Sequence, residues 1–137
     1  MKRGRSLFFK ILLHVFLPLL IGLFIYVFYR SNVWINRFLN WTFNEQLDTE
    51  NYPVITRWMI YSGPDFCWAY SFASAIFILN HLYKFSSHRF VFIIVLLLTG
   101  ASEIIQFFFT SHFTFSFPDL IFIVLACILS AILNKRI

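Results

Sequence analysis

Charge is what this sequence has least of. Only 12% of its 137 residues are Asp, Glu, Lys or Arg, about half the ~25% share of an ordinary soluble domain. The six acids are confined to the middle of the chain, none before Glu45 and none after Asp119. Cysteine is scarce as well: Cys67 and Cys127 are the whole complement, and neither stands in a C-x-x-C or metal-ligand pattern. The patterns G-x-S-x-G, H-E-x-x-H, Walker A and G-x-G-x-x-G are absent, and with them the usual signs of nucleophilic, zinc and nucleotide chemistry. Together these absences exclude a soluble globule, a disordered chain, a disulfide scaffold and a nucleic-acid module. They point away from an enzyme, and no cofactor is expected.

What is there is hydrocarbon. Hydrophobic residues make up 60% of the chain, aromatics 22%, and twenty residues are Phe; the mean hydropathy is +0.77. The composition is that of an integral membrane protein, with residues 1–137 as one membrane domain and little mass outside the bilayer. Four apolar runs stand out, at 11–29, 66–83, 90–109 and 117–133. A helix rising ~1.5 Å per residue needs about 17–25 residues to cross ~30 Å of hydrocarbon, and each run is long enough. Backbone polar groups cannot go unpaired in lipid, so the runs are predicted to be helices and the fold all-α.

The charge pattern orients them. With four spans the two termini share a side, and that side holds Lys2, Arg3, Arg5, Lys10, Lys84, Arg89, Lys135 and Arg136 with no acid. Arg30, Arg37 and Arg57 fall on the other side, with the acids. The positive-inside rule puts both termini in the cytoplasm of a bacterial inner membrane. The first run is too long for a signal-peptide core of about 7–15 residues, and Arg30-Ser31-Asn32-Val33 offers no small-x-small cleavage site. It reads as a retained anchor.

Residues 30–64 are then an outer loop. Trp34, Phe38 and Trp41 recur at helical spacing among polar residues, which suits a short amphipathic helix on the leaflet surface; a loop packed over the helix ends suits the same residues. Ser62-Gly63-Pro64-Asp65 and Ser116-Phe117-Pro118-Asp119 both read S-x-P-D. Ser62, Asp65 and Ser116 are expected to cap the second and fourth spans, with Pro in the first turn and the acid favoured by the dipole. From those caps Cys67 and Cys127 differ in depth by about six residues, roughly 9 Å. That is too far for a disulfide, which needs Cα atoms within about 7 Å. In the second span Ala69 and Ala73, and Ser71 and Ala75, are small residues four apart, spaced for close helix packing. His14 and His81 read as interfacial residues.

The third span carries a polar stripe. Thr99, Ser102, Glu103, Gln106 and Thr110 are spaced to share one helical face. An acid and an amide there must face protein or a water-filled cavity, because facing lipid costs several kcal/mol. His112 lies in the short connection that follows, and Asp119 opens the next span. Glu103, Gln106, His112 and Asp119 are therefore the expected ligand-binding set of a shallow outward-facing pocket. Plain hydrogen bonding between helices, about 0.6–2 kcal/mol per contact, is the alternative. Glu103, His112 and Asp119 match a metal set by ligand type only, and no metal is expected.

The sequence Ser102-Glu103-Ile104-Ile105-Gln106-Phe107, followed by Thr114-Phe115-Ser116-Phe117-Pro118-Asp119-Leu120, resembles the VanZ-like family of small bacterial membrane proteins. In that family an E-x-x-Q motif ends one span and an Asp opens the next. Pro64-Asp65-Phe66-Cys67-Trp68-Ala69-Tyr70-Ser71 looks like the P-D-x-x-W-x-Y-S of members from Bacteroidetes. The resemblance spans residues 61–133 and carries Glu103, Gln106 and Asp119 across. It departs at His112, where many members have Arg, at Ser116, which replaces an acid, and at Ala126, a small or Gly position.

The resemblance implies an envelope-related role of the kind linked to glycopeptide-antibiotic resistance. The implied ligand is a lipid-linked or cell-wall molecule. The other readings are a non-catalytic subunit of a larger membrane complex, a homodimer, or a minimal transporter. All of them have the lipid bilayer as a partner and none has nucleic acid.

Overall fold

The computed structural model describes residues 2–29, 52–84, 87–108 and 117–134, with side chains described at 7–29, 52–84, 87–101 and 117–134. Among these residues every regular element is a helix. Helix α1 (Lys2–Ile11) runs into a π-helical segment, Leu12–Phe16, and on into α2 (Leu17–Tyr29), so the three form one N-terminal rod. Helix α3 (Val54–Tyr83), α4 (His88–Phe108) and α5 (Phe117–Asn134) follow. Two stretches, Leu7–Tyr29 and Phe117–Asn134, are long and apolar enough to cross a membrane.

Helix α3 is the hub. It packs on the rod, on α4 and, most extensively, on α5. His14 meets Tyr70, and Gly22 lies against Pro64 and Cys67, so the rod and α3 run antiparallel. Phe66 meets Phe122, and Ser74 meets Ser130, so α3 and α5 run parallel with a constant offset. The close approach comes from small side chains. Ala73 and Ser74 of α3 and Ala126, Cys127 and Ser130 of α5 are all fully buried. Tyr70 and Phe77 of α3, Val91 and Val95 of α4 and Ile123 of α5 complete the core. The small residues spaced four apart in the second span are thus part of the packing face of α3. Both cysteines are free.

Two expectations about the second span are corrected. The loop drawn over residues 30–64 ends earlier than expected, because α3 begins at Val54 after Pro53. Ser62 and Asp65 are therefore not caps; they lie in the helix interior, as does Pro64. Proline lacks the N–H that would bond to the Ile60 carbonyl, which is why S-x-P-D read as a helix start. Inside a tightly packed bundle the neighbouring helix tolerates the break. Here the rod supplies that neighbour: a Cβ built on Gly22 would lie 2.9 Å from Cys67 Cβ and 3.4 Å from the Pro64 carbonyl oxygen. Only glycine lets the rod come this near. The cap expected at Ser116 and the surface helix expected around Trp34 and Trp41 lie outside the described residues.

The turn between α3 and α4 is built locally. Lys84 takes the left-handed conformation (φ 53°) and its N–H bonds to the Asn80 carbonyl at 2.7 Å, a left-handed helix stop. Ser87 then caps α4, its hydroxyl accepting the Phe90 N–H at 3.3 Å.

Burial is inverted relative to a water-soluble domain. Large apolar side chains face outward on every element, among them Phe8, Leu20, Ile55, Leu97 and Ile132. The buried set includes Ser62, Ser71, Ser74, Asn80, Asp119, Ser130 and Asn134.

Candidate functional site

Asp119 sits in the first turn of α5. An acid there is favoured by the helix dipole, but the dipole does not explain its burial. The residue is only 9% exposed. Its Oδ1 is buried and has no hydrogen-bond partner among the described residues. A carboxylate oxygen withdrawn from water without a donor is costly, so the position asks for a partner that helix capping does not provide.

The parallel register of α3 and α5 supplies the surroundings. An offset of 56 residues, read from the Ser74–Ser130 pair, puts Asp119 level with Gly63. Pro118-Asp119 and Ser62-Gly63 therefore lie at the same end of the helix pair, although the first opens a helix and the second is inside one. Below them Phe66 and Phe122 meet edge to face, with centroids 6.3 Å apart. This aromatic pair separates the Asp119 end from the polar groups deeper in the interface.

Of the residues expected to converge with Asp119, the backbone of α4 runs through Glu103 and Gln106, while their side chains lie outside the described residues. His112 lies outside them too. The stripe can be followed at Thr99. Its hydroxyl donates to the Val95 carbonyl at 2.8 Å and lies 3.4 Å from Cys127 Sγ of α5. The first member of the stripe thus faces α5, the helix that Asp119 opens.

A second polar group was not foreseen as a unit. Ser74 and Ser130 bond at 2.9 Å. Asn134 Nδ2 donates to the Ser130 carbonyl at 2.9 Å and lies 3.3 Å from both hydroxyls. On the other side of α3, His14 Nδ1 and the Tyr70 hydroxyl are 2.6 Å apart. His14, read from sequence as interfacial, is part-buried and bonded to Tyr70 of α3. The available signal was the pair Ser130 and Asn134, four apart on an otherwise apolar helix. His14 and Tyr70 are 56 residues apart, and nothing local in the sequence joins them.

No family model matches the chain, and neither a curated protein nor a solved structure matches it.

Proposed function

We propose that the chain is a four-span membrane protein of the VanZ-like kind, both termini cytoplasmic, whose outward recess binds a lipid-linked or cell-wall molecule. The observation that carries this reading is the buried carboxylate oxygen of Asp119 at one end of the α3–α5 pair, unpartnered among the described residues. The inverted burial supports the membrane setting, since hydrocarbon rewards apolar exteriors and interior polar pairing. The run of bases without acids near both termini supports the orientation. At 30 residues α3 is longer than a bilayer needs; tilt or protrusion of its Trp58 and Tyr61 turns into the headgroup layer absorbs the excess.

In this reading Asp119 and Glu103 present acceptors to hydroxyl, amide or ammonium groups of the ligand, Gln106 offers an amide, and His112 completes the set by its place in the sequence between Gln106 and Asp119. The role is binding and not catalysis. The protein acts at the outer face of the inner membrane, in tolerance of cell-wall-directed antibiotics. The test is to introduce Glu103→Gln and Asp119→Asn into a strain whose deletion is hypersensitive to such antibiotics. Both variants are expected to reproduce the deletion while accumulating normally. Full complementation by both would remove the ligand role.

A subunit or homodimer reading draws on the same exposed apolar side chains, including Ile55, Met59 and Leu97. Mass measurement in mild detergent separates it: a lone monomer counts against it, and a stoichiometric partner supports it.

A further inference from the structure

We propose that the end of the bundle where the N-terminal rod begins is a binding surface for phospholipids of net negative charge. The inference needs the membrane setting proposed above, but neither the recess around Asp119 nor the orientation of the chain.

The helix directions gather the bases. The rod runs antiparallel to α3, and α5 runs parallel to it. His88, the first residue of α4, stacks on Phe77 near the end of α3, with ring centroids 4.7 Å apart. The start of the rod, the end of α3, the start of α4 and the end of α5 therefore share one end. Among the described residues that end carries Lys2, Arg3, Arg5 and Lys10 on the rod, Lys84 at the stop of α3 and Arg89 in the first turn of α4.

No acid of the described residues accompanies them. Asp65 stands about 19 residues before Lys84 along α3, and Glu103 about 14 beyond Arg89 along α4, roughly 28 and 21 Å away. Asp119 opens α5 at the opposite end. These separations exceed side-chain reach and the ~8 Å screening length of a physiological salt solution. The described residues thus provide no counter-charge, and the end attracts anions.

What adjoins each base selects the kind of anion. Phe9 beside Lys10 is 60% exposed, Tyr83 beside Lys84 67% and Phe90 beside Arg89 54%. A nucleic acid or an acidic peptide would cover the charges and leave these rings in water. A phosphate joined to acyl chains satisfies both, the phosphate on the bases and the chains on the rings. Lys10 is half-buried and stands about one turn inside the apolar stretch Leu7–Tyr29, so its stem lies along hydrocarbon while its ammonium reaches the phosphate level. A zwitterionic headgroup brings its own cation, which this end repels. Phosphatidylglycerol brings none and is favoured over phosphatidylcholine, each base near the surface contributing about fivefold.

The test reconstitutes the full chain in phosphatidylcholine vesicles with a trace of spin-labelled phosphatidylglycerol or spin-labelled phosphatidylcholine. Electron spin resonance reads the fraction of each label held at the protein surface. The wild-type protein is expected to retain phosphatidylglycerol about threefold or more over phosphatidylcholine at low salt. Most of that preference should vanish in about 1 M salt, where the screening length falls to ~3 Å. Lys10→Gln, Lys84→Asn and Arg89→Gln combined should bring the ratio close to one; asparagine tolerates the left-handed backbone at position 84. Arg57→Gln, near the other end of α3, should leave the preference unchanged. Equal retention of the two labels by the wild type would overturn the proposal and leave the membrane setting intact. A preference that survives high salt or the combined variant, or that Arg57→Gln abolishes, would overturn it as well. Retention of neither label would remove the membrane setting and this surface with it.

Discussion

The Ser74 and Ser130 hydroxyls lie 2.9 Å apart, buried, and join two parallel helices at a spacing of 56 residues. In a membrane such a contact between helices contributes about 0.6–2 kcal/mol. Ser74→Ala and Ser130→Ala are each expected to destabilise the bundle within that range. In a double-mutant cycle the pair should show a coupling of about 0.6 kcal/mol or more. Unfolding in mixed detergent micelles measures it, and strict additivity would mean that the hydroxyls do not act as a pair.

Gly22 sets how near the N-terminal rod comes to α3. Gly22→Ala would place a Cβ 2.9 Å from Cys67 Cβ, and neither atom is the free end of a flexible side chain. The rod must shift, at a cost of about 1–3 kcal/mol. Cys67 is half-buried, so the shift is read as faster labelling by a membrane-permeant maleimide, several-fold above wild type. Gly100 is the control: nothing lies within 4 Å of a Cβ built there, and Gly100→Ala should leave Cys67 labelling unchanged.

Lys84 holds a left-handed conformation at the end of α3. A side chain there costs roughly 1–2 kcal/mol, which glycine avoids while losing more conformational freedom on folding. Lys84→Gly is expected to stabilise the protein by about 0.5–1 kcal/mol, measured as a higher midpoint of thermal unfolding in detergent. A lower midpoint would show that the lysine side chain contributes more than its backbone costs.

The helical class was legible because apolar runs in a nearly uncharged chain leave the backbone no other way to pair its polar groups. The packing face of α3 was legible from Ala69, Ala73, Ser71 and Ala75, because small side chains at helical spacing define a close approach whichever helix comes. The start of α3 was misread at Ser62. A proline eleven residues into the helix looks the same in sequence as one in its first turn, and only the rod packed on Pro64 tells the two apart.

The polar pairs inside the bundle escaped notice for a different reason. His14–Tyr70 joins the rod to α3 and Ser74–Ser130 joins α3 to α5, so each depends on the register of two packed helices. That register is a tertiary property with no local pattern. Asp119 could be singled out from sequence as an acid at the start of an apolar run, but its burial, with no donor to Oδ1 among the described residues, needed coordinates.

The proposal that Asp119 faces a recess on the outer side of the membrane is tested most directly by Asp119→Cys in a chain carrying Cys67→Ala and Cys127→Ala. An impermeant maleimide is applied to spheroplasts and, separately, to lysed membranes. Labelling of intact spheroplasts to the same extent as lysed membranes is the predicted result. Labelling that appears only after lysis would put Asp119 on the cytoplasmic side and contradict the account.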